Sequence, residues 1–412
     1  MKSTHNPVQS SLNRTWILLL AMMAMMAVLP LSRRVAAQEA NQQRPRRVTD
    51  PEKSSTVQKK SNPNTDEVDE GDVVRVDTQL VSIPAVVTDS TGRPLAGLHP
   101  ENFQVFEDGQ SQTISNFGTA ETPFEIALLL DTSGSTRDDV VLIRQAANSF
   151  IEALRPGDRV GIVAFNTTKQ GTGPVATVEV LTQLSSDRRT LRQAVENLGA
   201  SNGTPYYDAL EKVADTIFRE PPRDEVRGRR AVVALTDGVD STSNSDFATA
   251  KLKLSKAGIA CYFIQVNTED FVEDRLMKDC EDDGRLSLSQ KQLQRYQRIF
   301  VPNAKPEDYT NFCQMGPFER MSISRQLYNL ARKEMDDLAK VSGGRSFVAA
   351  NLSDARAAFG RVAADIGTLY SLGYYPTNKA RDGKFRAIRL EVIGLKAKPE
   401  IRARDGYYAP KQ

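Results

Sequence analysis

Four short apolar runs set the frame for this chain: IALLL (126–130), VGIVAF (160–165), AVVAL (231–235) and IACYFIQV (259–266). Each suits a strand, and each is apolar at almost every position, so both of its faces must be covered. Helical patterns lie between them. Val140, Ile143, Ala147, Phe150 and Leu154 share one helical face, Leu191, Ala194 and Leu198 a shorter one, and Leu210, Val213 and Ile217 a third. Buried strands alternating with amphipathic helices predict an α/β fold, a doubly wound and mostly parallel sheet with helices on both faces. The rhythm breaks at 268–326, where EDFVEDRLMKDCEDDGR and a Gln/Arg-rich helical piece read as an insertion. It resumes with a helix near 327–341, a strand in GGRSFVA, and a last helix striped by Phe359, Val362, Ile366 and Leu369. No internal repeat is visible.

The flanks have a different texture. VRVDTQLVSIPAVVTDSTGRPLAGL and FQVFEDGQSQTISNF are β-rich with DSTGRP and DGQ turns, and LYSLGYYP, FRAIRLEV and IRARDGYYA return to β texture at the other end. Neither piece has enough strands to stand alone. Domain ends often lie close together, so 74–118 and 369–409 are expected to form one antiparallel β domain, with an α/β domain at 123–368 inserted between them.

Lys2 and Arg14 precede an apolar run from Trp16 to Leu31, and Val35-Ala36-Ala37 offers small residues for cleavage. Residues 1–37 are therefore expected to be a signal peptide, which implies export to the periplasm, cell envelope or exterior; an uncleaved anchor is the alternative, and the only route to membrane contact. No cysteine follows the small residues, which argues against a lipoprotein. Residues 38–73 carry no aromatic residue and few aliphatic ones, and read as a disordered linker. Cleavage would take away Lys2, Arg14, Arg33 and Arg34 and no acid, so 54 basic against 52 acidic residues becomes 50 against 52. That balance argues against nucleic acid as a partner.

Cys261 falls inside an apolar run and reads as a buried strand residue. Cys280 and Cys313 lie in the polar insertion, and an exported protein can oxidise them. A bridge over a loop of this length would contribute about 3–4 kcal/mol in the chain-entropy picture. No CxxC pair occurs, which weighs against a zinc site. Histidine is confined to His5 and His99, which removes His-based triads and HExxH hydrolases from consideration.

Open parallel sheets build their sites beyond the carboxyl ends of the strands. Three loops qualify: Asp131-Thr-Ser133-Gly-Ser135 after the first strand, SNGTPYYDAL with Thr204 opening a helix, and LTDG with Asp237 ending another strand. Two carboxylates and three hydroxyls suit a hard divalent cation, Mg²⁺ first and Mn²⁺ or Ca²⁺ as alternatives. Neutral hydroxyls leave the cation able to accept an outside carboxylate. Read singly, each loop is ordinary: a helix N-cap at Ser135 or Thr136, a turn at TDG, a helix start at NGT. Asp208 and Tyr206 fit helix and core roles better than ligand contact. Asp240 and STSNSD are expected at the rim of the site or in an exposed turn.

The combination D-T-S-G-S, G-T before a helix and L-T-D-G resembles the von Willebrand factor A domain and its metal-ion-dependent adhesion site, over about 123–368 with 268–326 as an insertion. The resemblance implies Asp131, Ser133, Ser135, Thr204 and Asp237 as metal ligands, some through water, and an acidic residue of a partner completing the coordination. No motif position departs from the pattern. FQVFEDG and SLGYYP…GYYAP also resemble an acidobacterial-type group of exported A-domain proteins without a defined activity.

The function expected is therefore a non-enzymatic, exported adhesion-type module that captures an Asp or Glu of a protein or peptide through its cation. One alternative is a Mg²⁺-dependent phosphoryl hydrolase, but such enzymes carry D-x-D at the first strand end, and here Ser133 replaces the proton donor. No P-loop appears either. The other alternative is a structural subunit of an envelope assembly.

Overall fold

The computed structural model describes residues 80–134, 140–170, 173–277 and 288–411. The expected signal segment, the linker 38–73, Ser135 and Cys280 lie outside these residues. The described chain opens with four strands, β1 (Val81–Thr88), β2 (Phe103–Glu107), β3 (Gln110–Gln112) and β4 (Ile114–Gly118). The α/β part runs β5 (Glu125–Leu130), α1 (Val140–Ala153), β6 (Arg159–Gln170), β7 (Gly173–Ser185), α2 (Arg188–Glu196) and α3 (Tyr206–Lys212). It continues through β8 (Arg230–Thr236), α4 (Phe247–Lys256), β9 (Ala260–Val266), α5 (Glu269–Leu276), α6 (Gln290–Phe300), α7 (Pro317–Ser342), β10 (Arg345–Ala349) and α8 (Ala355–Gly367). Four strands close it: β11 (Tyr370–Tyr374), β12 (Phe385–Val392), β13 (Glu400–Ala403) and β14 (Gly406–Tyr408).

The central sheet has the order β10-β9-β8-β5-β6-β7, parallel throughout except for the antiparallel edge strand β7. Alternate residues of β5 serve two cores. Ile126, Leu128 and Leu130 face α1, α2 and α8, while Ala127 and Leu129 face α3, α4 and α7. This double burial explains the continuous apolar runs. The helical faces are close to those expected: Ile143, Ala147 and Phe150 are buried on α1, and Phe359, Val362 and Ile366 on α8. Cys261 is a free, fully buried thiol in β9.

Two elements differ from expectation. The run at 160–165 is the first half of a long strand that pairs with β7 in a hairpin. No apolar run marks β7 in the sequence, because none of its described side chains is fully buried. The helix expected near 327–341 starts at Pro317, ten residues inside the stretch read as insertion. Its early turns bury Ile323 and Ser324, and with α5, α6 and the turns between them they form a cap with its own core of Val272, Leu276, Leu293, Tyr296, Phe312 and Leu327.

The flanking strands form two antiparallel sheets, β13-β1-β11-β4 and β14-β12-β2-β3, each drawing on both ends of the described chain. They share one core, in which Ile83, Val105, Leu372 and Tyr374 are buried. The DGQ turn joins β2 to β3, with Asp108 and Gly109 both at positive φ, as a tight hairpin turn requires. Arg229 fixes the crossing between the two parts. This buried guanidinium donates to the carbonyls of Thr119 (2.6 Å) and Thr122, and to those of Ile366 (3.2 Å) and Leu369 (2.9 Å). It thereby grips both connections to the α/β domain, and its charged face lies 4.1 Å from the Phe124 ring. Burial pulls its pKa down to about 9.

Candidate metal centre

Asp131 directly follows β5 and Asp237 directly follows β8. These strands are parallel neighbours, with Leu130 beside Leu235, so the two acids leave the sheet side by side at its carboxyl end. Both are buried. Asp131 accepts hydrogen bonds from the Ser133 amide (2.9 Å) and the Thr236 hydroxyl (2.6 Å). Asp237 accepts from the Val239 amide (3.0 Å) and the Thr268 hydroxyl (2.7 Å).

The three loops are tied to one another. The Thr236 bond joins the first to the third. The Ser201 amide donates to the Thr132 carbonyl at 2.8 Å, joining the second to the first. Thr204 and Ser241 join second to third: the Thr204 amide donates to the Ser241 hydroxyl (2.8 Å) and the Ser241 amide to the Thr204 carbonyl (3.0 Å). Two glycines permit this approach. A Cβ on Gly203 would come within 2.7 Å of the Thr242 methyl. Gly238 has φ +73°, and a Cβ there would meet Met335 of α7 at 2.7 Å.

Ser133, Thr204 and Asp237 meet at one cavity of ≈ 190 Å³, and Asp131 joins the group through its bonds to Ser133 and Thr236. Of the five expected ligands, only Ser135 lies outside the described residues. Asp240 is not part of an exposed turn. It is buried and accepts from the Tyr206 (2.9 Å), Tyr207 (3.3 Å) and Ser243 (3.3 Å) amides, so it caps α3. Asp208 accepts from the Asn244 and Ser245 amides and pins the same loop, while Tyr206 is buried in the core.

Electrostatics and donor chemistry point the same way. Burial, and then the charge of Asp237, push the Asp131 carboxyl up to about 7, against the partial relief of its hydrogen bonds from Ser133 and Thr236. A divalent cation between the two acids would favour the ionised form of both. The donors are all oxygen, two carboxylates with the hydroxyls of Ser133 and Thr204, which fits Mg²⁺ and not a soft thiolate-seeking metal. Among the described residues no three His, Cys, Asp or Glu side chains converge, so an ion here would draw on the hydroxyls for part of its coordination.

Three contributors were missed in the sequence. Thr236 stood within the LTDG motif but was passed over for its neighbour. Thr268 and Tyr328 come from the cap: the Thr268 hydroxyl is 2.7 Å from the Tyr328 hydroxyl and bonds Asp237 directly. Nothing in their local sequence marks them.

The sequence profile of the family described as von Willebrand factor type A domain matches residues 125–292, in keeping with the doubly wound sheet. No curated protein matches the chain. Several solved structures are similar to it. Proximal thread matrix protein 1 of the mussel byssus shares 12% identity over 59% of this chain and 48% of its own, with a TM-score of 0.36. The three N-terminal domains of the type V pili tip protein Mfa5 from Porphyromonas gingivalis share 13% over 40% of this chain and 27% of theirs, with a TM-score of 0.24. A von Willebrand factor type A protein from Catenulispora acidiphila shares 14% over 82% of this chain and 75% of its own, with a TM-score of 0.36. This chain spans about half of the first and about a quarter of the second.

Proposed function

We propose that the von Willebrand factor type A domain of this chain holds a divalent cation, and that the protein is an exported, non-enzymatic binding module capturing an acidic residue of a protein partner through it. Asp131, Ser133, Thr204 and Asp237 would hold the ion, with Ser135 as a further donor; they are the pattern of a metal-ion-dependent adhesion site. The ion would supply an electrophilic position for the partner's carboxylate. Export follows from the apolar segment at 16–31, and a Cys280–Cys313 bridge would accompany it.

One observation carries this reading. Two buried carboxylates leave neighbouring parallel strands side by side, and one of them shares a cavity with the hydroxyl-bearing Ser133 and Thr204. The chain's own groups pre-organise the site. Thr236 and the Ser133 amide orient Asp131, Thr268 and the Val239 amide orient Asp237, and the Thr204–Ser241 bonds fix the second loop against the third. Little rearrangement is then left for binding.

The test is capture from envelope extracts by the immobilised protein, in Mg²⁺ and in EDTA, with Asp131→Ala in parallel. The expected result is a partner held in Mg²⁺ and lost in both other arms, while circular dichroism shows the fold intact. Partner retention by folded Asp131→Ala in EDTA would reduce these loops to helix caps. Turnover of a generic phosphate ester would favour the hydrolase instead.

A further inference from the structure

The cap changes what such a site can take. The cavity has two unlike walls. Ser133, Thr204 and Asp237 lie on the side of the motif loops, while the cap contributes an aliphatic patch, Val272, Leu276, Leu288 and Leu327, among polar groups such as Gln292 and Tyr328. These aliphatic residues are held by the cap's own core, and the cap is bonded to the loops it faces. The Ser289 hydroxyl donates to the Ser241 carbonyl at 2.6 Å, and the Lys291 ammonium donates to the carbonyls of Thr242 and Ser243, both at 2.8 Å. Thr268 bonds Asp237 itself. The aliphatic patch is therefore fixed relative to the carboxylates.

Size narrows the occupant. Pockets for drug-sized ligands begin near about 300 Å³. The ≈ 190 Å³ here corresponds to about six water volumes at ~30 Å³ each, the space of one or two side chains.

Resting on the cation reading above, we propose that the ligand is an extended peptide segment in which an Asp or Glu stands directly beside a branched aliphatic side chain. The acid would reach the motif loops, and the aliphatic group would lie on Val272, Leu276, Leu288 and Leu327. The cap thus acts as a specificity element of the site.

Three capped tetrapeptides test this by titration calorimetry in Mg²⁺: Gly-Asp-Leu-Gly, Gly-Asp-Gly-Gly and Gly-Asn-Leu-Gly. Burying most of a leucine side chain should make the first bind about tenfold tighter than the second or better. The amide peptide should fail to bind, and EDTA should abolish all binding. Val272→Thr, which keeps the side-chain volume, and Leu288→Gln should bring the two acidic peptides within about threefold while leaving Mg²⁺ affinity unchanged. The comparison on the unsubstituted protein decides by itself if either variant misfolds. Equal binding of the two acidic peptides, or binding of neither while Mg²⁺ binds, overturns the peptide specificity and leaves the cation site standing. Failure of Mg²⁺ itself to bind brings down the cation reading and this inference with it.

Discussion

The hydroxyl of Thr268, the second residue after β9, donates to Asp237 at 2.7 Å, and through this bond the cap holds a carboxylate of the motif. Tyr328, sixty residues on, reaches the same hydroxyl at 2.7 Å. Because Thr268 gives its proton to the carboxylate, the Tyr328 hydroxyl donates to Thr268. The pair holds the Oδ2 of Asp237, while the Val239 amide holds its Oδ1.

Thr268→Val keeps the shape and removes the bond. Partners that orient a metal ligand are worth about 10–100-fold in metal affinity, so Mg²⁺ should bind about tenfold more weakly, with a smaller loss for Tyr328→Phe. Thr268→Ser should restore it. Calorimetric titration of Mg²⁺ into the three variants checks this, and equal affinities would make the cap a bystander to the ion.

Loss of a motif carboxylate should outweigh loss of a hydroxyl. Asp131→Ala and Asp237→Ala each leave a single acid against two positive charges, and Mg²⁺ affinity should fall by about a hundredfold or more. Ser133→Ala gives up a neutral donor that water can replace, and about tenfold is expected. The order of the three dissociation constants is the measurement.

Asp240 gives the protein a pH dependence away from the acids of the motif. Burial, against the relief of its bonds to Ser243 and the Tyr207 amide, pushes its pKa up to about 6 from 3.8. Between these values the unfolded chain is ionised while the folded one holds the proton, so this contribution to stability falls as pH rises from about 4 to about 6 and is flat above. The full effect is on the order of 3 kcal/mol. Asp240→Asn keeps the cap of α3 without the titration. The gap in thermal midpoint between variant and parent should therefore widen from pH 4 to pH 6 in favour of the variant; a constant gap would show that Asp240 stays ionised.

Truncation after Leu369 removes β11, which pairs with β1 on one side and β4 on the other. It also deletes β12, the partner of β2. Residues 81–118 should become sensitive to limited proteolysis while the six-stranded sheet survives. Continued protection of that segment would mean that the front strands fold without the back ones.

The α/β layers were legible because burial on both faces leaves a plain mark: IALLL and AVVAL admit little else. The placement of Asp131 and Asp237 followed from the rule that strand ends carry the site, whereas Thr204 sits in the loop between α2 and α3 and was marked only by the G-T pattern before a helix. The cap was not legible. Its core joins Val272 to Phe312 and Leu327, residues spread over a stretch whose composition is mostly polar, and the few apolar positions look incidental until the chain folds back. Asp240 misled for a related reason. A polar loop reads as exposed, whereas here the N-terminus of α3 provides the hydrogen bonds that allow its carboxylate to be buried.

The way the two ends of the described chain interleave has a mechanical consequence. A pull applied at Leu80 and at Lys411 is borne by β1, β11 and β13 and by the companion sheet, and bypasses the six strands that carry the acids. In the antiparallel ladder Val81 lies beside Tyr374, and Ala85 beside Ala403. Strand β1 would peel from Val81 onward, one bonded pair after another, instead of shearing all at once. The first thing to yield under load is the clasp around the domain, and the domain itself stays slack.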